Sequence, residues 1–246
     1  MNTQRIFALL KMELKKIIRE PAYVFLMFLF PAVLTLIFGF AFSDPELGMS
    51  FSLMAPGLFA YACIFIIMIV AQSFSDEREQ GLLRRLSITP MKAFDFMGSQ
   101  ILANMIIAML QVLIVFILAQ LFDFRPQTNF LGILSAILLM AIFSLSSVGL
   151  GLITATISKS AGVATGLSFI FILPQMFFGT FIPITSNTRL IAMALPSYYV
   201  TDALTSIFNG QSLLSANILL DFAFVSIFSI IIIIIGIQLF KKYGNK

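Results

Sequence analysis

The sequence lacks histidine, has a single cysteine (Cys63), and is poor in charge, with charged residues making up 11% of its 246 positions. Without histidine, it cannot form an HExxH metalloprotease site, a Ser-His-Asp triad or a His-ligated cofactor site. One cysteine cannot build a disulfide framework or a cysteine-based metal site. Because 60% of the residues are hydrophobic and soluble domains average about a quarter charged residues, we expect lipid as the solvent. The net charge of +4 is mild, and no run of bases indicates nucleic-acid binding.

Six apolar runs are long enough to cross a bilayer, whose hydrocarbon core requires about 20 apolar residues of helix. They cover residues 22–42, 53–74, 97–122, 130–157, 161–182 and 222–240. The isoleucine run 230–235 favours a strand in water, but a helix satisfies every backbone group within the segment in lipid. The sequence therefore predicts an all-α integral membrane protein with six transmembrane helices.

Basic residues are distributed unevenly between the loops that connect these runs. With a cytosolic N-terminus, 13 of the 15 lysines and arginines fall on the cytosolic side, and only Arg125 and Arg189 lie outside. Positive charge marks cytosolic loops. We expect a multi-pass protein of the cell (inner, cytoplasmic) membrane with both termini in the cytosol.

Residues 1–20 form a segment of their own, and residues 21–246 form one membrane domain. At 100° per residue, six apolar side chains of the first segment fall within about 120° of arc: Ile6, Phe7, Leu10, Leu14, Ile17 and Ile18. Bases occupy the neighbouring face, as in helices that lie flat on an anionic leaflet. We predict an amphipathic interfacial helix; the alternative is a topology signal with incidental amphipathicity.

The cytosolic loop at residues 75–96 begins with S-D-E-R-E-Q-G-L-L-R-R-L-S-I-T-P. Acids come first and bases later, which suits a helix dipole, and Pro90 ends the pattern. Leu82, Leu83 and Leu86 give a small apolar face. The pattern favours a short amphipathic helix that fits a partner's groove; the alternative is a solvated connecting loop.

The external segment at residues 183–214 is apolar, yet its two helical stretches, 191–195 and 198–208, are too short to span. Pro183, Pro196 and Asn209-Gly210 punctuate it. We predict a re-entrant helical hairpin between spans five and six, with an ordinary external loop as the alternative. Asp202 would be costly at membrane depth unless it faced water or a partner.

Three motifs together resemble the ABC-2 type permeases, the membrane subunits of ATP-binding cassette exporters with the type V exporter fold. R-E-P follows the basic N-terminal segment, and E-R-E-x-G with x-x-x-R-L-x-x-T-P starts at Glu77. Late in the chain come Gly179, Pro183 and L-P-x-Y-Y-x-x-D-A-L from Leu195. Leu82 stands where many members have threonine, and Thr205 where arginine often follows.

The resemblance implies a coupling helix that docks on an ABC ATPase subunit. Its residues would be Glu77, Arg78, Glu79, Gly81, Leu82, Arg85, Leu86, Thr89 and Pro90. It further implies an extracytoplasmic gate at Gly179, Pro183, Pro196, Tyr198, Tyr199 and Asp202. Two permeases, identical or paralogous, would pair with a path along spans two and five. Glu77 and Glu79 would form salt bridges to the ATPase.

The chain has no G-x-x-x-x-G-K-[ST] phosphate loop, so ATP and magnesium would belong to the partner ATPase and no cofactor to this chain. Candidate path-lining residues in spans two and five are Phe59, Phe65, Met68, Phe171, Met176 and Phe177. An apolar, soft-walled path suits amphipathic or hydrophobic cargo, such as a drug, lipid or peptide. The alternatives are a membrane scaffold that recruits an ATPase and an ATP-independent secondary carrier, which would show membrane-centre carboxylates or inverted repeats.

Overall fold

A computed structural model describes residues 3–19, 21–42, 50–81, 93–182 and 185–243. Within these ranges the chain is helical and has no strand, which confirms the all-α prediction. The helices are α1 (Thr3–Arg19), α2 (Pro21–Ala41), α3 (Phe51–Glu79), α4 (Ala93–Gln120), α5 (Phe130–Ile157), α6 (Ala161–Met176), α7 (Arg189–Met193), α8 (Pro196–Phe208) and α9 (Ala216–Tyr243). A π-helical segment, Phe177–Phe181, continues α6.

Five described helices are long and apolar enough to cross a membrane: α3, α4, α5, α6 with its π-helical extension, and α9. The helix α2 corresponds to the first predicted span, but its described apolar part, Met27–Ala41, is shorter than a span requires. A multi-pass membrane protein is therefore supported, while the count of six spans stays a prediction.

The helix α3 lies at the centre of the bundle and packs against α2, α4, α5, α6 and α8. Small residues permit this close packing, as in other membrane helix interfaces. A Cβ on Gly151 of α5 would come within 2.7 Å of the Ile67 carbonyl oxygen, and one on Gly57 within 2.8 Å of the Thr180 carbonyl oxygen. The backbones at both positions approach too closely for any side chain larger than hydrogen.

Around this centre, α9 packs along α5 and α8, and α6 packs mainly on α3. The N-terminal helix α1 contacts α4 and α2. Its side chains at positions 6 and 13 are buried, whereas Phe7 and Ile18 are exposed. The predicted apolar arc is thus divided between the bundle and the surroundings, and the placement of α1 on a membrane surface stays a prediction.

Two boundaries differ most from those that we predicted. The second span does not end at residue 74: α3 continues to Glu79, so residues 75–79 belong to it and not to a separate cytosolic helix. The last helix begins at Ala216, six residues earlier than expected. In both cases polar residues extend a helix that hydropathy alone would end, because backbone hydrogen bonding continues past the apolar run.

The predicted hairpin region contains two short helices, α7 and α8, close to the predicted positions. Pro196 occupies the first turn of α8, where its missing N–H costs nothing. Pro174 lies inside α6, and the π-helical segment follows three residues later. That these short helices dip into a membrane stays a prediction.

Candidate functional site

The bundle has two ends with different chemistry. We call the end that carries Glu77, Ser158 and Phe240 the inner end, in keeping with the predicted orientation, and the end that carries Phe51, Gln120 and Ala216 the outer end. Both ends contain residues that the sequence singled out. Three consecutive residues at the end of α3, Glu77 to Glu79, dominate the inner end.

Glu77 joins α3 to two other helices. Its carboxylate is buried, with 1% of the side chain exposed, and accepts from Lys16 Nζ of α1 at 2.7 Å and from Gln100 Nε2 of α4 at 3.0 Å. Gln100 in turn accepts from Asn104 Nδ2 at its backbone carbonyl, at 2.9 Å. A buried ion pair with additional hydrogen bonds fixes geometry strongly. Glu77 therefore holds α1 and α4 to the end of the central helix.

Arg78 and Glu79 bind the ends of the next two helices. The Arg78 guanidinium donates to the Thr156 carbonyl at 3.3 Å and to the Ser158 carbonyl, at the C-terminal end of α5. Glu79 Oε1 accepts from the backbone N–H of Ala161, the first residue of α6, at 2.6 Å. A cation at a helix C-terminus and an anion at a helix N-terminus both complement the helix dipole and satisfy free backbone groups. The E-R-E motif thus connects α3 with α1, α4, α5 and α6.

Gly81 follows the end of α3 and changes the direction of the chain. Its φ of 71° lies in the left-handed region, and its N–H donates to the Arg78 carbonyl at 3.0 Å. Glycine is the residue that adopts this helix-ending conformation without a steric cost. The chain therefore leaves α3 immediately before residues 82–90. Leu82, Arg85, Leu86, Thr89 and Pro90 lie outside the described residues.

Sequence reasoning missed Glu13, which belongs to the same cluster. Only 3% of it is exposed, and its Oε1 is buried and has no donor among the residues that the structure describes. Burial, then the charge of Glu77 and a hydrogen bond to it, raise the pKa of Glu13 to about 7, against the opposing effect of Lys16. The signal was available: at 100° per residue, Glu13 lies within about 20° of Ile6, on the apolar face of the helix. A carboxyl group there needs a partner or a proton.

The position of Glu77 also differs from our expectation of a surface residue. Its carboxylate faces the interior of the chain, so a salt bridge to a partner would first require the Lys16 pair to break. Glu79 is exposed but already bound to the start of α6. The assignment of this segment to coupling stays a prediction, although its acids act within the chain.

At the outer end, the predicted gate residues meet where the π-helical segment contacts α8. A Cβ on Gly179 would lie 1.9 Å from Ser197 Oγ, so only glycine permits the contact. Ser197 Oγ donates to the Gln175 carbonyl at 3.1 Å. Because Pro174 and the π-helical turn disrupt the regular ladder, carbonyls near this point need other donors. The short helix α8 thereby closes over the end of α6.

A cavity of about 280 Å³ lies beside this contact. Gly179, Tyr198 and Asp202 line it together with Leu53 and Thr201. Tyr199 points elsewhere: its ring stacks on Phe224 of α9 with centroids 3.8 Å apart, and its hydroxyl donates to the Met193 carbonyl at 2.9 Å. Pro196 is buried at the start of α8, and Pro183 lies outside the described residues. The structure therefore brings three of the predicted gate residues to one cavity.

A comparison with known families covers both ends of the bundle. The family model described as "ABC-2 type transporter" matches residues 4–209, from α1 to the end of α8. The chain belongs to the ABC-2 type transporter family. Among individually curated proteins, none matches the chain. The matched range of this ABC-2 permease includes both the E-R-E cluster and the outer cavity.

The six predicted path residues of the permease do not share one surface. Phe59 and Phe65 of α3 are buried inside the bundle, with 1% and 5% exposed. Met68, Phe171 and Met176 are half-buried, and Phe177 is exposed. Phe59 packs on the rings of Phe124 and Phe208, 5.7 and 5.6 Å away. In this conformation α3 is a central packing helix, and its role in a path stays a prediction.

Proposed function

We propose that the chain is the permease subunit of an ATP-driven exporter that moves an amphipathic or hydrophobic substrate, such as a drug, lipid or peptide, out of the cytosol. A separate ABC ATPase binds ATP and magnesium and docks on residues 77–90. A second permease copy or a paralogue completes the pathway. Family membership supports a transport subunit, and the direction, cargo class and partners are part of the proposal.

The observation that carries the proposal is the E-R-E cluster at the end of α3. A force applied to the segment after Gly81 would act on the point where α1, α4, α5 and α6 are bound to α3. Because these bonds are short and charge-assisted, the helices would move with that point. A docked ATPase could in this way shift much of the bundle through one loop.

The exposed side of α6 supports the pairing of two permeases. This helix packs mainly on α3 and leaves Val163, Phe169, Ile170 and Leu173 exposed. The predicted path along spans two and five would then be completed by the same helix of a second copy. The outer cavity at Gly179, Tyr198 and Asp202 would lie at its exit.

Affinity purification of the full chain in mild detergent tests the ATPase partner. We expect an ATPase of roughly 25–35 kDa, a size of one or two domains, to purify with it. If no chain with a nucleotide site accompanies the permease, the exporter proposal fails.

A double substitution, Glu79→Lys with Leu86→Asp, tests the coupling site. We expect ATP-dependent export to be lost while the amount of permease in the membrane stays unchanged. The matched control places the same chemical changes on exposed residues of the outer end, Asp123→Lys with Leu214→Asp, and should export normally. Intact export by the inner variant would show that the coupling assignment is wrong.

A further inference from the structure

A second cavity, unrelated to the predicted coupling and gate residues, opens between α4 and α5. Its volume is about 460 Å³. Met105, Met109 and Phe116 line it from α4, and Ile133 and Met140 from α5. Phe59 and Phe208 complete it from α3 and α8. We call it the α4–α5 cleft.

The lining of the cleft is entirely apolar. All of its residues are aliphatic, aromatic or methionine side chains, and none carries a hydroxyl, amide or charge. Water and ions gain nothing in such a space, because water needs polar partners to enter a cavity. An unfilled cavity would forfeit dispersion contacts around its whole lining. The cleft therefore suits a flexible hydrocarbon chain, to which methionine side chains adapt well.

The mouth of the cleft opens sideways, toward lipid. Ile106, Leu110 and Leu113 of α4 and Ile137 of α5 line it and are also exposed. The lining residues cover the middle and part of the outer half of the predicted third span and the outer half of the predicted fourth span. We therefore expect the opening of the cleft to face the acyl chains of the outer leaflet.

The loop between α4 and α5 is anchored on the lining of the cleft and carries a cation. Phe124 of this loop is anchored on two lining rings, 5.7 Å from Phe59 and 5.3 Å from Phe208. The N–H of Gln127 donates to the Phe208 carbonyl at 2.7 Å. Between these anchors lies Arg125, with 86% of its side chain exposed; among the described residues its ion pair is an exposed contact to Asp123 at 3.3 Å. Such a surface pair is weak, so Arg125 can bind a phosphate.

We propose that the α4–α5 cleft is a phospholipid site, which holds one acyl chain of an outer-leaflet phospholipid while Arg125 contacts the lipid's phosphate. The apolar lining accounts for the acyl chain, the lateral mouth for entry from the bilayer, and the loop cation for the headgroup. The site is separate from the proposed cargo path except at Phe59, and it does not depend on ATP hydrolysis.

Photolabelling of the purified chain in detergent micelles tests the site. The probe is a phosphatidylcholine with a diazirine near the end of one acyl chain, and adducts are located by mass spectrometry. We expect saturable labelling concentrated at residues 105–116 and 133–140, which excess unlabelled phosphatidylcholine removes. Labelling spread evenly over other exposed apolar surfaces, such as Phe169 and Ile170 of α6, would overturn the proposal.

Two substitutions that fill the cleft, Met109→Trp and Ile133→Phe, are made separately so that one folded variant suffices. Each should reduce labelling at least fivefold. The matched control, Leu138→Phe, enlarges an exposed side chain of α5 that does not line the cleft and should label normally. Undiminished labelling in a folded filled variant, or crosslinks that place a second copy of the chain in the cleft, would show that the proposed occupant is wrong.

Arg125→Ala tests the headgroup contact. At low salt we expect the variant to need several-fold more phosphatidylcholine probe for half-maximal labelling, because the cation that binds the phosphate is gone. A diacylglycerol probe with the same diazirine, which has no phosphate and no charge, should label both proteins equally. If the phosphatidylcholine titration is unchanged in the variant, the assignment of the headgroup to Arg125 is overturned.

Discussion

The two ends of the bundle are held together by different interactions. At the inner end, charged side chains connect helices: Glu77 binds Lys16 and Gln100, and Arg78 and Glu79 bind helix ends. At the outer end, Gly57 packs against the Thr180 backbone and Gly179 against the Ser197 side chain, and aromatic rings pack nearby. The outer ion pair, Asp123 with Arg125, is almost fully exposed.

The difference has a physical consequence for motion. Charge-assisted hydrogen bonds are directional and fix one arrangement of the helices that they join. Packing of glycine and aromatic rings is tight but less directional, and the hydrogen bond from Ser197 to the Gln175 carbonyl at this end is uncharged, so one element can slide along another more easily. We therefore expect the inner end to move as a unit and the outer end to open by separation of α8 from the π-helical segment.

Removal of Lys16 should have the largest effect on stability. Lys16→Met leaves the buried Glu77 carboxylate without its cation. The loss of one partner of a buried pair costs about 3 kcal/mol or more, and the free energy of unfolding should fall by somewhat less, since 32% of the Lys16 side chain is exposed. A denaturant titration of the protein in mild detergent measures this change in the free energy of unfolding.

The neighbouring Lys15→Met is the matched control, because Lys15 is exposed on the same helix, and it should change stability by no more than about 0.5 kcal/mol. Glu77→Gln in the Lys16→Met background should restore part of the loss. Equal effects of the two lysine variants would show that the inner end does not depend on the buried pair.

A rise in pH should weaken the inner end. The pKa of Glu13 rises from its ordinary value of 4.5 to about 7 in the folded protein, so the folded state binds this proton more tightly than the unfolded state. The stabilisation is complete below pH 4.5 and is lost as pH rises through about 7, in total about 3 kcal/mol. Thermal unfolding between pH 5 and pH 8 measures the effect.

Glu13→Gln removes the titrating group and should flatten this pH profile, whereas Glu79→Gln, on an exposed side chain, should retain its slope. The charged groups that face Glu13 among the described side chains are Lys16 and Glu77. A profile that is equally steep in Glu13→Gln and in the native chain would assign the pH dependence to another group.

At the outer end, Gly179→Val should lower the free energy of unfolding through a steric clash, and this loss should not depend on salt concentration. The new side chain would collide with Ser197, and overpacking costs about 1–3 kcal/mol. Gly166→Val on α6 is the matched control because a Cβ there meets nothing within 4 Å. Thermal unfolding in low and high salt separates this effect from the salt-sensitive loss at the inner end. If the loss of stability in Gly179→Val depended on salt, the proposed difference between the two ends would be wrong.

The smallest effect on stability is expected at Gly81, where the chain leaves α3. Gly81→Ala places a Cβ on a residue with a φ of 71°, at a cost of about 1 kcal/mol. Gly98→Ala, in the second turn of α4 with open space around it, should be neutral or slightly stabilising. Thermal unfolding compares the two. Equal midpoints would mean that the left-handed turn at Gly81 contributes no strain.

Hydropathy predicted the long helices well because an apolar run of sufficient length has few alternatives in lipid. It misplaced the end of α3, since Ser75 to Glu79 are polar but remain helical through backbone hydrogen bonds. It also missed Glu13, whose importance comes from Glu77, 64 positions later in the chain. A local sequence pattern does not indicate which distant helices pack against each other.

The membrane class, the positions of the apolar helices and the motifs that indicate the ABC-2 family could be read from the amino-acid sequence, because they follow from composition and from short-range spacing. The use of the motifs became visible in the folded chain: the E-R-E acids act inside the chain on Lys16 and Ala161, and Gly179 permits the close contact with Ser197 of α8. The reason is that a side chain's partners are set by the packing of distant segments, which local sequence does not specify.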